Sequence, residues 1–152
     1  MTEVRFYHLT RRPLLQALPR MLEMTLQRGQ RALVRSGDPE RVEPLADHLW
    51  TYDDRGFLPH GTAADGHADQ QPIWITAAEE NPNASSYLFL VYGADWSDVT
   101  PFERCLLLFD GHDGDAVQAA RDRWKVFREA GHDLSYWQQD DSGRWADKAA
   151  QS

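Results

Sequence analysis

Two periodicities alternate along this chain, and that alternation limits its possible folds more than any other feature. Val4-Arg-Phe-Tyr-His-Leu9, Arg31-Ala-Leu-Val-Arg35, Ile73-Trp-Ile-Thr76, Tyr87-Leu-Phe-Leu-Val-Tyr92 and Asp133-Leu-Ser-Tyr-Trp137 are short, aliphatic and aromatic, as strands are. Helical spacing appears between them. Leu14, Leu15, Leu18, Met21, Leu22 and Leu26 mark one helix, opened by Pro13 and closed by Gly29. Pro19 lies inside it and predicts a kink or an early break. Asp38-Pro39-Glu40 is a cap and start for a second helix reaching about Leu49. Residues 102–109 read as a short helix and residues 115–130 as a long one, ended by Gly131. Asp140-Asp-Ser-Gly143 turns the last strand back into a hairpin with Arg144-Trp145. Strand and helix in alternation predict an α/β sandwich with a mainly parallel sheet. The expected organisation is one domain over residues 1–145 and a frayed tail over 146–152, a size that suits one core.

Charge and composition exclude several functions. The net charge of −8 argues against a surface that grips nucleic acid over its whole extent, since phosphate backbones need a dominant cationic face. The longest apolar run, residues 87–92, is far too short to span a bilayer. The opening residues lack the basic-then-apolar order of a secretory signal, and the lone Cys105 cannot form an internal disulfide. The expected compartment is the cytosol, without a membrane association.

Motifs for chemistry are missing where they would be needed. A nucleotide site on such a sheet calls for a glycine-rich turn after a strand, but Thr10-Arg-Arg-Pro13 follows the first strand. Gly111-His-Asp-Gly114 has two glycines, follows the expected helix over 102–109, and reads as a plain turn. None of the six histidines stands in a metal-binding pattern, and Asp110, Asp113 and Asp115 lack the closing glutamate of a calcium loop. Cys105, among Leu106, Leu107 and Leu108, reads as a buried inert thiol. No cofactor, metal or catalytic residue is expected.

Two stretches suit a protein partner better. Trp50, Tyr52 and Phe57 lie in or beside a polar loop over residues 51–71, and large aromatics on loops are enriched at interfaces. The bland alternative is that Trp50 and Phe57 plug the domain's own core. In residues 115–130, Val117, Ala120, Trp124 and Phe127 form the apolar stripe of a helix. Arg121, Lys125 and Arg128 share its flank as one cationic ridge. The ridge is either a solvated face or, with Trp124 as a wall, a pocket for an acidic peptide. Arginine can hold a terminal carboxylate by two parallel hydrogen bonds.

Phe6-Tyr-His-Leu9, Asp47-His-Leu-Trp50 followed by Phe57-Leu-Pro-His60, and Ala120-Arg-Asp-Arg-Trp-Lys-Val-Phe-Arg-Glu-Ala-Gly131 are similar to the chi subunit family of bacterial DNA polymerase III. The resemblance runs in order along essentially the whole chain. It implies a Rossmann-like α/β domain without a nucleotide site, non-catalytic and placed at the replisome, engaging DNA only indirectly. It also implies two partners: the psi subunit of the clamp-loader complex, and the acidic C-terminal tail of single-stranded DNA-binding protein, which ends in a phenylalanine carboxylate. By position, Trp50, Phe57, Pro59 and His60 resemble the psi-facing surface. Arg121, Trp124 and Lys125, with Arg128 nearby, resemble the tail pocket. Trp124 stands where a tyrosine is familiar and Val117 where a lysine can occur, so one cation is absent. The stretch over residues 138–152 goes beyond shorter members.

Two other classes compete. One is a small α/β enzyme with His60, His67, Asp53 and Asp54 as acid–base groups in the 51–71 loop. The other is a direct nucleic-acid binder using the Arg121 ridge.

Overall fold

Seven strands form one sheet in the computed structural model, which describes residues 2–51, 58–142 and 144–147. The elements follow in the order β1 (Glu3–Leu9), α1 (Leu14–Gln27), β2 (Ala32–Ser36), α2 (Val42–Thr51), β3 (Ile73–Thr76), β4 (Tyr87–Val91), β5 (Arg104–Asp110), α3 (Gly114–Glu129), β6 (Asp133–Gln139) and β7 (Trp145–Asp147). Across the sheet the order is β3-β2-β4-β5-β1-β6-β7, parallel except for the antiparallel β6–β7 pair. The α/β sandwich with a mainly parallel sheet is the architecture expected from strand–helix alternation.

Each face of the sheet carries its own core. Tyr7, Val34, Ile75, Phe89 and Leu108 point to one face and pack with Leu18, Leu22, Leu45 and Leu49 of α1 and α2. Val4, Phe6, Leu88, Leu90 and Leu107 point to the other and pack with Ala120 and Phe127 of α3 and with Val99 and Phe102 of the β4–β5 connection.

Residues 102–109, expected as a helix, belong instead to β5, a strand between β4 and β1. Its residues from Cys105 to Phe109 are all buried. A strand covered on both faces shows no polar alternation, so a short apolar run of this kind looks the same in either conformation. Pro19 brings no break, because α1 runs through it. A proline lacks the N–H that would reach the carbonyl four residues back. That carbonyl, Leu15 O, instead lies 2.7 Å from His48 Nε2 on α2.

Ends and turns follow local chemistry more closely. The Asp38 side chain accepts from the Glu40 amide, starting a short 3-10 turn (Pro39–Arg41) that leads into α2. Asp113 accepts from Asp115 N and Ala116 N at the start of α3. Gly131, at φ 85, ends α3 in the left-handed conformation that glycine adopts without strain.

Candidate protein-binding site

The cationic ridge of α3 overhangs a pocket of about 640 Å³. Its apolar lining comes from three strands and the helix: Phe6 of β1, Phe109 of β5, Tyr136 of β6, and Val117 and Trp124 of α3. The rings meet edge-on. Trp124 lies 5.2 Å from Phe6 and 6.2 Å from Tyr136, with interplanar angles of 64° and 77°. Arg121, Lys125 and Arg128 line the rim and are exposed. Among the described residues none of these three takes part in an ion pair, whereas Arg5, Arg11, Arg35, Arg41, Arg104 and Arg123 all do. In a chain of net charge −8, three neighbouring cations without a carboxylate are therefore left to attract an external anion. All four residues expected in a tail pocket line this one site. The wall opposite them, Tyr136 and Phe109, escaped sequence reasoning because it comes from strands remote in the chain.

Behind the pocket, the Tyr136 hydroxyl hydrogen-bonds His8 Nδ1. Burial, together with the nearby charges of His112 and Arg121, lowers the His8 pKa below its ordinary value, against the opposing pull of the Gly111 carbonyl and Asp110. Burial raises the Tyr136 pKa. Arg121 disfavours the charge on His8 and favours a charge on Tyr136, with which it lines the same pocket.

The second candidate surface lies at the end of α2. Trp50 is 49% exposed, and its ring packs 4.2 Å from that of His60. His60 is only 3% exposed, with its two ring nitrogens 2.6 Å from Leu58 O and 2.9 Å from Ala46 O. It pins the chain after the loop onto α2 and supports Trp50 from beneath. Pro59 is half-buried, and Leu58 enters the core. Phe57, Tyr52, Asp53 and Asp54 lie outside the described residues. The acid–base reading of the 51–71 loop loses its leading histidine, since both His60 nitrogens are engaged with backbone.

At the C-terminal ends of the strands, β1 leads through α1 to one side of the sheet and the adjacent β5 leads through α3 to the other. Such a switch in direction opens a crevice where α/β proteins commonly bind ligands. Here it holds about 880 Å³ and is lined in part by Thr10, Arg12, Tyr92, Asp110 and Asp113. Gly111-His-Asp-Gly114 follows a strand, not a helix, so it occupies the strand-to-helix position that a phosphate turn would need. Its helix end is instead filled by the Asp113 carboxylate. After β1, the amides of Thr10, Arg11 and Arg12 all donate to Oε1 of Gln139, at 3.0, 2.8 and 3.0 Å. The protein's own side chains thus take the amides that a nucleotide phosphate would use.

Cys105 is fully buried on β5, and burial pushes its thiol up to about 12. It is a core side chain rather than a nucleophile. Among the described residues no cluster of three metal-ligating side chains occurs, and no helix is long and apolar enough to cross a membrane.

Residues 1–135 match the family described as DNA polymerase III chi subunit, HolC. The chain belongs to this family. A probable DNA polymerase III subunit chi of Rickettsia prowazekii (strain Madrid E) is 28% identical over 109 residues, 72% of this chain and 66% of that protein. The chain therefore spans just under two thirds of that relative. The DNA polymerase III subunit chi of Escherichia coli (strain K12) is 23% identical over 107 residues, 70% of this chain and 73% of that protein. The chi family match takes in α3, its ridge and the whole α2 segment. It stops one residue short of Tyr136, so four of the seven residues of β6, all of β7 and the Tyr136 part of the pocket wall lie beyond it.

Proposed function

We propose that this chi-family chain is a non-catalytic accessory subunit of the DNA polymerase III holoenzyme, and that its α3 pocket takes the C-terminal tail of single-stranded DNA-binding protein. The carrying observation is the set of three uncommitted cations, Arg121, Lys125 and Arg128, above an aromatic pocket on an acidic protein. A tail ending in phenylalanine offers a ring and a free carboxylate a few bonds apart. Burying the ring contributes about 1.5–3 kcal/mol. Charge-assisted hydrogen bonds from Arg121 to the carboxylate add roughly 1.5–3 kcal/mol. Upstream acidic residues meet Lys125 and Arg128 at the surface, where salt screens them. After the cost of ordering a flexible tail, the affinity is on the order of micromolar.

The end of α2 serves a second partner in this reading, a psi-type subunit of the clamp loader. Trp50 is the anchor, Phe57 and Pro59 extend it, and His60 holds the platform. The protein then works in the bacterial cytoplasm at the replisome, linking the loader to coated single strands and meeting DNA only through its partners. Capture of single-stranded DNA-binding protein with and without its last residues tests the first interface. Retention of the truncated form, or equal affinity for free and amidated tail peptides, refutes it. A salt-dependent shift with naked single strands points instead to direct nucleic-acid binding by the ridge.

A further inference from the structure

Behind the α3 pocket stands a hydrogen-bonded pair that neither the ridge nor the aromatic wall explains. Tyr136 lines the pocket with its ring and turns its hydroxyl to Nδ1 of His8 on the neighbouring strand. The opposite edge of the imidazole lies against Gly111, where even a Cβ would come within 2.2 Å of Nε2. The Gly111 backbone beside the ring favours its charged form. A neutral imidazole with its proton on Nε2 leaves Nδ1 as an acceptor. The Tyr136 hydroxyl proton is then spent on His8, and only lone pairs remain for the pocket. When His8 gains a second proton, Nδ1–H donates to the tyrosine oxygen. The hydroxyl proton is released and can turn to an acceptor in the pocket.

We propose that Tyr136 is a further ligand-binding residue of the pocket, donating to a carboxylate held by Arg121, and that His8 is the positioning residue whose protonation makes that donation possible. This rests on the carboxylate-ended peptide proposed above. The groups facing His8 fit such coupling. Arg121 on α3 and His112 on the β5–α3 turn oppose a charge on the imidazole, Asp110 favours it, and Tyr136 on β6 contacts it directly. A carboxylate on Arg121 offsets the one permanent positive charge named among them. Ligand and proton therefore bind with positive linkage.

Calorimetric titration of the full chain with a short acidic peptide ending in phenylalanine tests this, near pH 6 and near pH 8, in two buffers of different ionisation heat. The expected result is proton uptake on binding and tighter binding at the lower pH, by up to about tenfold per pH unit where a whole proton is taken up. The amidated peptide should show no uptake. Tyr136→Phe keeps the ring and His8→Gln keeps a polar partner. Each should bind the peptide without the proton uptake, while His112→Gln retains it. If Tyr136→Phe keeps the same pH slope, or the wild-type chain prefers the free carboxylate yet takes up no proton, this inference is overturned and the tail pocket stands. If free and amidated peptides bind equally or not at all, both readings fall together.

Discussion

The α3 pocket and the end of α2 each centre on a tryptophan, half-buried Trp124 and exposed Trp50, yet they are built in opposite ways. In the pocket, the chemistry sits on long exposed side chains of a helix whose buried stripe, Ala120 and Phe127, already secures the fold. Arg121, Lys125 and Arg128 can change without touching that stripe. At the end of α2 the exposed Trp50 stands on a buried histidine that also ties a loop to the helix. In the proposed reading, binding and folding are separable in the first region and share a residue in the second. If both regions are the partner surfaces proposed above, the one on a pre-formed helix is tuned by charge and the one on a pinned loop by packing.

The sharpest break of that contrast comes from His60→Ala. It removes a donor to one of the two facing carbonyls and leaves a void under Trp50, so thermal stability should fall by about 2–4 kcal/mol. An unchanged melting curve would place His60 outside the structural frame. Arg121→Ala should leave the melting curve alone and cost roughly 1.5–3 kcal/mol of tail-peptide affinity in calorimetry. Loss of stability with normal binding would reverse the comparison. Trp50→Ala should weaken capture of a psi-type subunit by about 2 kcal/mol. Its effect on stability should stay under about 1 kcal/mol, since the ring is already half in water. Lys125→Ala belongs further down, at about 0.5–1 kcal/mol of peptide affinity that disappears as salt rises. Smallest of all is the response of Cys105 to a thiol-modifying reagent. With its thiol pushed up to about 12 and no solvent exposure, the folded protein should stay unmodified through mildly alkaline pH, reacting only on unfolding.

Much of the site was legible one element at a time. Arg121, Lys125 and Arg128 recur at helical steps, so their shared face follows from the pitch of α3 alone. Trp50 announced itself as an aromatic beside a polar loop. What the chain order hid was the company these residues keep. Tyr136, Phe109 and Phe6 reach Trp124 from three strands that are neighbours only because the sheet runs β5-β1-β6. His60 was read as part of a partner surface, and its burial against Ala46 depends on how the chain returns to α2 after the loop.

The sequence by itself determined α1, α2 and α3, the Asp38 cap and much of the strand–helix alternation that leads to a parallel sheet. These rest on 3.6-residue periodicity and on short-range hydrogen bonds such as that from the Glu40 amide to Asp38. Only the tertiary structure decided that residues 104–110 are a strand and that α1 tolerates Pro19. It also decided that Gln139 takes the amides after β1 and that four rings make one pocket. Each of those outcomes depends on a partner supplied from far along the chain. A Cys-Leu-Leu-Leu-Phe run carries no periodicity to betray its conformation, and it becomes a strand because β1 and β4 lie beside it to share its hydrogen bonds.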